Sequence, residues 1–209
     1  MSKIKIALVQ MHVEKDKYKN LETANTFIKK VAQEGCDLAI LPEMFTTPYK
    51  TDNFPIYAEF EGEDSFISIS NMAKENSIYL VGGSIPEKDE KNLVYNTSYV
   101  FDRNGNNIGK HRKVHLFDID VEGGQSFKES DTLTPGNNIT VFDTEFGKIG
   151  LCICFDFRFP ELARLMVQKG AKTIIVPAAF NMTTGPAHWE LTFRSQAVFN
   201  HVFAIGTAP

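Results

Sequence analysis

Two apolar patterns alternate along the chain. Short continuous runs read as strands covered on both faces, and 3.6-residue periodicity reads as amphipathic helices between them. Residues 4–10 predict a strand. Residues 20–34 place Leu21, Ala24, Phe27, Ile28 and Val31 on one helical stripe, with Gly35 as the stop. The run Asp37-Leu38-Ala39-Ile40-Leu41-Pro42-Glu43 predicts a buried strand, residues 65–75 a helix, and Ile78-Tyr79-Leu80-Val81-Gly82-Gly83 another strand. A hairpin follows, with strands over 93–101 and 107–113 around the turn residues Asp102-Arg103-Asn104-Gly105.

The second half repeats the first. A strand over 148–154 leads to a helix over 160–169, and Gly170 ends it before Ala171-Lys172-Thr173-Ile174-Ile175-Val176-Pro177. Glycine, apolar run and proline fall there in the register of Gly35 to Pro42. A helix over 187–199 then feeds Asn200-His201-Val202-Phe203-Ala204-Ile205-Gly206, which echoes Asn76 to Gly82. Two such halves predict a single α/β domain over 1–209. Its expected form is a four-layer α-β-β-α sandwich of two sheets with a pseudo-twofold internal repeat. The first half runs on into a hairpin, whereas the second stops at Pro209, so the chain is expected to lack its last strands.

Composition narrows the function class. The net charge of −4 disfavours a general affinity for nucleic acid or anionic membrane. The basic cluster Lys110, His111, Arg112, Lys113 and His115 is neutralised by Asp118, Asp120 and Glu122 just beyond it. Three cysteines, two of them two residues apart, suit a reducing compartment, and the cytoplasm is the expected location. No run approaches the roughly 18 apolar residues of a membrane span. Gly82-Gly83 and Gly123-Gly124 match no nucleotide fingerprint. On an extended strand His111 and His115 would stand about 13 Å apart with no third ligand nearby, so neither a metal nor a cofactor is expected.

Three residues at predicted strand ends could carry chemistry. Cys154 ends an apolar run ahead of a turn and a helix, where the helix N-terminus would favour the thiolate; a small core hydrophobe is the other reading. Cys152 reads as packing. Glu43 follows a buried strand and is either a general base with a raised pKa or a cap. Lys113 ends the returning hairpin strand, in a cluster where most lysines are solvated.

The order Glu43, Lys113, Cys154 resembles the nitrilase, or carbon–nitrogen hydrolase, superfamily. The resemblance lies in Leu41-Pro42-Glu43, Arg112-Lys113-Val114-His115-Leu116-Phe117 and Cys154-Phe155-Asp156-Phe157-Arg158-Phe159-Pro160-Glu161. Phe45-Thr46-Thr47-Pro48-Tyr49, His115 to Val121, and Phe180-Asn181-Met182-Thr183-Thr184-Gly185-Pro186-Ala187-His188-Trp189-Glu190 are similar to its ω-amidase branch. That branch hydrolyses the terminal amides of α-ketoglutaramate and α-ketosuccinamate. The chain departs from the family at Phe199, where an acidic residue is usual, and in stopping at Pro209.

The resemblance implies a nitrilase-like sandwich and a mechanism. Cys154 would attack the amide carbon, Glu43 would carry protons, and Lys113 with the Phe155 N–H would stabilise the oxyanion. Glu129 matches a second family glutamate that would hold Lys113 charged. A keto-acid carboxylate needs a cationic clamp, for which Arg158, Thr183 and Thr184 are candidates, with Phe45 and Tyr49 walling the pocket. Arg158 could equally pair with Asp156 or Glu161. The resemblance also implies a homodimer acting on a small-molecule amide. Other readings are a deaminated-glutathione amidase, an N-carbamoyl amide hydrolase, or a non-catalytic module whose Glu43, Lys113 and Cys154 do not converge.

Overall fold

The computed structural model describes residues 3–120, 122 and 126–209. Val121, Gly123 and Gly124, which belong to motifs considered above, lie outside them. Strand β1 (Ile6–Leu8) leads to helix α1 (Lys17–Gln33), whose N-terminus is capped by Asp16 accepting from the N–H groups of Tyr18 and Lys19. Strand β2 (Leu38–Ile40), a short helix α2 (Phe54–Tyr57), helix α3 (Asp64–Glu75) and strand β3 (Tyr79–Val81) follow. The first half ends in β4 (Ile85–Lys88), β5 (Val94–Phe101) and β6 (Asn107–Arg112). A small hairpin, β7 (Asp118–Asp120) and β8 (Ser126–Lys128), separates the halves. The second half comprises β9 (Thr140–Thr144), β10 (Gly147–Leu151), α4 (Pro160–Gln168), β11 (Thr173–Pro177), α5 (Gly185–Asn200) and β12 (Phe203–Thr207).

The internal repeat is real in space. β1, β2 and β3 are parallel neighbours joined through α1 and α3, and β10, β11 and β12 are parallel neighbours joined through α4 and α5. The first sheet adds antiparallel β5, which pairs with β3, β4 and β6; the second adds antiparallel β9. Strand β4 was not foreseen because Pro86 interrupts its strand pattern; it lies at the sheet edge against β5, with only an isolated bridge from Glu59 to Glu87 on its other side among the described residues.

Three apolar seams make the four layers. Leu21, Ala24 and Ile28 of α1 and Ile69, Met72 and Ala73 of α3 cover Ala39, Leu80 and Phe101. Between the sheets, Leu38, Ile40, Val81 and Val100 meet Phe142, Ile149, Leu151 and Ile175. Leu162, Ala163 and Met166 of α4 cover Ile174 and Val176 on the far side. Each large side chain so buried contributes about 1.5–3 kcal/mol. Those seams hold the C-terminal ends of β2, β10 and β11 against one another, where the polar residues of interest emerge. β12 is outermost in its sheet, and Leu191, Val198, Phe199 and Phe203 nearby are exposed. Among the described residues no helix is long and apolar enough to cross a membrane.

Candidate active site

Glu43, Lys113 and Cys154 converge on one buried site, against the expectation for a non-catalytic module. Glu43 leaves β2 through Leu41-Pro42 into a turn where Met44 adopts a left-handed backbone, φ 51°. Gly83 makes that turn possible: it also has a positive φ, and a Cβ there would lie 2.1 Å from the Pro42 carbonyl oxygen. Ser84 then fixes the turn, its N–H donating to Pro42 O and its hydroxyl accepting from the Met44 N–H. From the other half of the repeat, Ala178 O accepts from the Glu43 N–H at 3.3 Å.

Lys113 lies one residue beyond β6, with its N–H held by Asn96 O at 2.8 Å. Its ammonium is fully buried and stands 2.8 Å from Glu43 Oε1 and 2.9 Å from Glu129 Oε2. Glu129, in a 3-10 turn after β8, also accepts from the Phe117 N–H at 2.7 Å. Burial alone would lower the Lys113 pKa, but the charges of Glu129 and Glu43 outweigh it and raise the value. Lys113 stays an ammonium.

One cation between two carboxylates leaves an excess negative charge among side chains that are themselves closed to solvent. Burial accordingly raises the Glu43 pKa, with Lys113 pulling the other way and Glu129 adding to the rise. Oε1 of Glu43 is occupied by Lys113, by Asn96 Nδ2 at 2.8 Å and by the Tyr49 hydroxyl at 3.1 Å. Oε2 is buried without a well-aligned donor among the described residues, and the Cys154 thiol neighbours this carboxylate closely enough to couple with its protonation.

Cys154 opens a 3-10 turn (Cys154–Arg158) with φ 47°, a left-handed elbow that costs a non-glycine residue on the order of 1–3 kcal/mol. The helix begins at Pro160, as expected, after the extended Phe159, which leaves its N-terminus more than a turn beyond the thiol and outside the range over which a helix terminus acts. Burial, and then the Glu43 charge, push the thiol well above its ordinary value; Lys113 and the Ala179 N–H, which bonds the sulfur, only partly offset them. The resting sulfur is a thiol. Cys152 is fully buried in the seam beneath α4, as expected of packing.

A narrow cleft opens on Cys154. Of the expected pocket residues, Tyr49, Phe155, Arg158 and Thr184 line it. Phe45 does not: it is fully buried in the seam between the first sheet and its helices. Thr183 is exposed, and its N–H is turned to Asn181 Oδ1 at 3.0 Å. Phe117, Ala179, Phe180 and Asn181 complete the lining. Arg158 makes no ion pair among the described residues, and Asp156 is enclosed by other donors. Its guanidinium instead faces the rings of Phe155 at 5.2 Å and Phe180 at 5.5 Å, its Nε is buried without a partner, and burial lowers its pKa.

Three features had no signal in the sequence reading. Asn96 serves Glu43 from the middle of β5, where it passes as one more strand position. Tyr49, expected as wall, places its hydroxyl against both Glu43 and Glu129. His111 and His115 are not spread along one strand, because β6 ends at Arg112 and both rings turn onto Asp156.

The chain is similar to known proteins along nearly its whole length. The carbon-nitrogen hydrolase family model matches residues 5–209. The chain is 48% identical to "Omega-amidase NIT2" of Mus musculus over 209 residues, covering 100% of this chain and 75% of that protein. It is 50% identical to "Omega-amidase NIT2-A" of Xenopus laevis with the same coverage. The crystal structure of Saccharomyces cerevisiae Nit3, described as a member of branch 10 of the nitrilase superfamily, superposes with a TM-score of 0.90 at 46% identity. That match covers 99% of this chain and 75% of the yeast protein.

Proposed function

Because this chain belongs to the carbon–nitrogen hydrolase family, we propose that it hydrolyses the terminal amide of small ω-amides of dicarboxylic keto acids. α-Ketoglutaramate and α-ketosuccinamate would give the dicarboxylic keto acid and ammonia through a thioester on Cys154. The unpaired Arg158 guanidinium beside the thiol carries the choice of substrate. A cation with a free hydrogen-bonding edge in an aromatic-walled cavity suits the carboxylate at the far end of a short keto acid.

The steps follow from which groups are free. Glu43 Oε1 is occupied, so Oε2 takes the thiol proton as the sulfur attacks the amide carbon. The oxyanion forms between the Lys113 ammonium and the Phe155 N–H, donors that need no reorganisation. As the intermediate collapses, the C–N bond breaks, and Glu43 returns its proton to the departing ammonia. A water deprotonated by Glu43 then attacks the thioester, and breakage of the C–S bond returns the proton to sulfur. Glu129 and the Tyr49 hydroxyl keep Lys113 and Glu43 in place throughout.

Ammonia release on α-ketoglutaramate, compared with deaminated glutathione and an N-carbamoyl amide, tests the substrate. Turnover of either other amide without turnover of α-ketoglutaramate would contradict it. The three unpaired cysteines support a cytoplasmic location. The exposed apolar side chains of α5 and β12 support a homodimer, which light scattering at micromolar concentration would detect.

A further inference from the structure

One buried polar cluster lies outside the pocket. The fully buried Asp156 carboxylate takes five donors. On Oδ2 these are the Ile153 N–H and His111 Nε2, each at 3.0 Å. On Oδ1 they are the Val114 N–H at 3.1 Å, the His115 N–H at 2.8 Å and His115 Nδ1 at 2.9 Å. Ile153 precedes the Cys154 elbow, and Val114 follows Lys113 directly. A single carboxylate thus ties the backbone that presents the thiol to the backbone that presents the ammonium.

The His111 ring is anchored at both nitrogens, with Nδ1 3.0 Å from the Thr140 hydroxyl and Nε2 on Asp156 Oδ2. His115, its ring stacked on Phe159 at 3.7 Å, is the other titratable group against this carboxylate.

We propose that Asp156, anchored by the His111 ring, is the positioning residue registering the Cys154 elbow against Lys113. It touches no reacting atom. This rests on reading Cys154 and Lys113 as nucleophile and oxyanion donor; an active Cys154→Ala variant would remove that reading, whereas an unaffected Asp156→Asn enzyme would remove the positioning role alone.

Substitutions in the whole chain test it. In steady-state kinetics, Asp156→Asn keeps the shape but replaces an acceptor with a donor facing the backbone N–H groups. It should lower kcat about 100-fold, as misplacement of a reacting group by about 1 Å does, with KM nearly unchanged. His111→Gln keeps one donor without the ring and should lower kcat about tenfold, and the double variant should be no slower than Asp156→Asn. A folded Asp156→Asn enzyme with unchanged kcat overturns the positioning role. Should that variant fail to fold, His111→Gln decides: full kcat in a folded protein overturns the proposal.

Discussion

Glu43 Oε1 and Lys113 Nζ stand 2.8 Å apart with both side chains fully closed to solvent, and the second carboxylate, Glu129, completes the set. Dehydrating such ions costs several kcal/mol each, which only mutual attraction and further hydrogen bonds repay. The three are energetically one unit. Removing the cation should therefore disturb stability as well as rate.

Lys113→Met tests that linkage. It leaves two buried carboxylates without their counter-ion, and breaking a pair of this kind costs about 3–5 kcal/mol. Chemical denaturation should show a loss of that order, accompanied by loss of turnover. Unchanged stability would mean that the site is wetter than its burial indicates.

Glu43→Gln separates proton transfer from packing. The amide can keep the Tyr49 and Asn96 contacts but cannot take a proton, so kcat should fall by about 10²–10⁴ with the fold retained. Activity within a small factor of the parent enzyme would remove Glu43 from the proton-carrying role.

The pH response follows from two raised values. Burial and the Glu43 charge raise the Cys154 pKa, so iodoacetamide should alkylate this thiol slowly at neutral pH, and the midpoint of the rise should lie above that of an ordinary cysteine. Burial also raises Glu43, so the acid limb of kcat/KM should lie above the usual carboxylate range. For stability the sign is the same. A carboxyl with a raised folded value binds its proton more tightly when folded, so its contribution is present at low pH and lost as pH rises through that value. A thiol reacting fully at neutral pH would contradict the charge count of the site.

Arg158→Leu addresses substrate choice. Hydrogen bonds to a charged group contribute about 1.5–3 kcal/mol, so kcat/KM on α-ketoglutaramate should fall by about 10- to 100-fold. A neutral primary amide of similar length should be affected far less. Equal losses on both substrates would place Arg158 in the scaffold instead.

Much of this was legible in the chain. The strand-helix-strand-helix-strand repeat follows from apolar runs and glycine stops, because burial on both sheet faces leaves a pattern that local chemistry preserves. Glu43 and Cys154 could be found because they end such runs. Asn96 and the hydroxyl of Tyr49 could not, since their roles depend on strand pairing and a loop path that no local periodicity encodes. Phe45 and Thr183 sit beside motif residues in sequence but point elsewhere, one into the core and one to solvent. The thiol's raised pKa was missed because its burial and the Glu43 charge beside it depend on tertiary packing that the local strand-turn-helix pattern does not show.

The most direct test of the central reading is ammonia release from α-ketoglutaramate by the parent chain and by Cys154→Ala, with mass spectrometry of the parent under turnover. We expect steady release and an acyl adduct on Cys154 in the parent, and neither in the folded variant. Ammonia release by Cys154→Ala at the parent rate would contradict the nucleophile assignment outright.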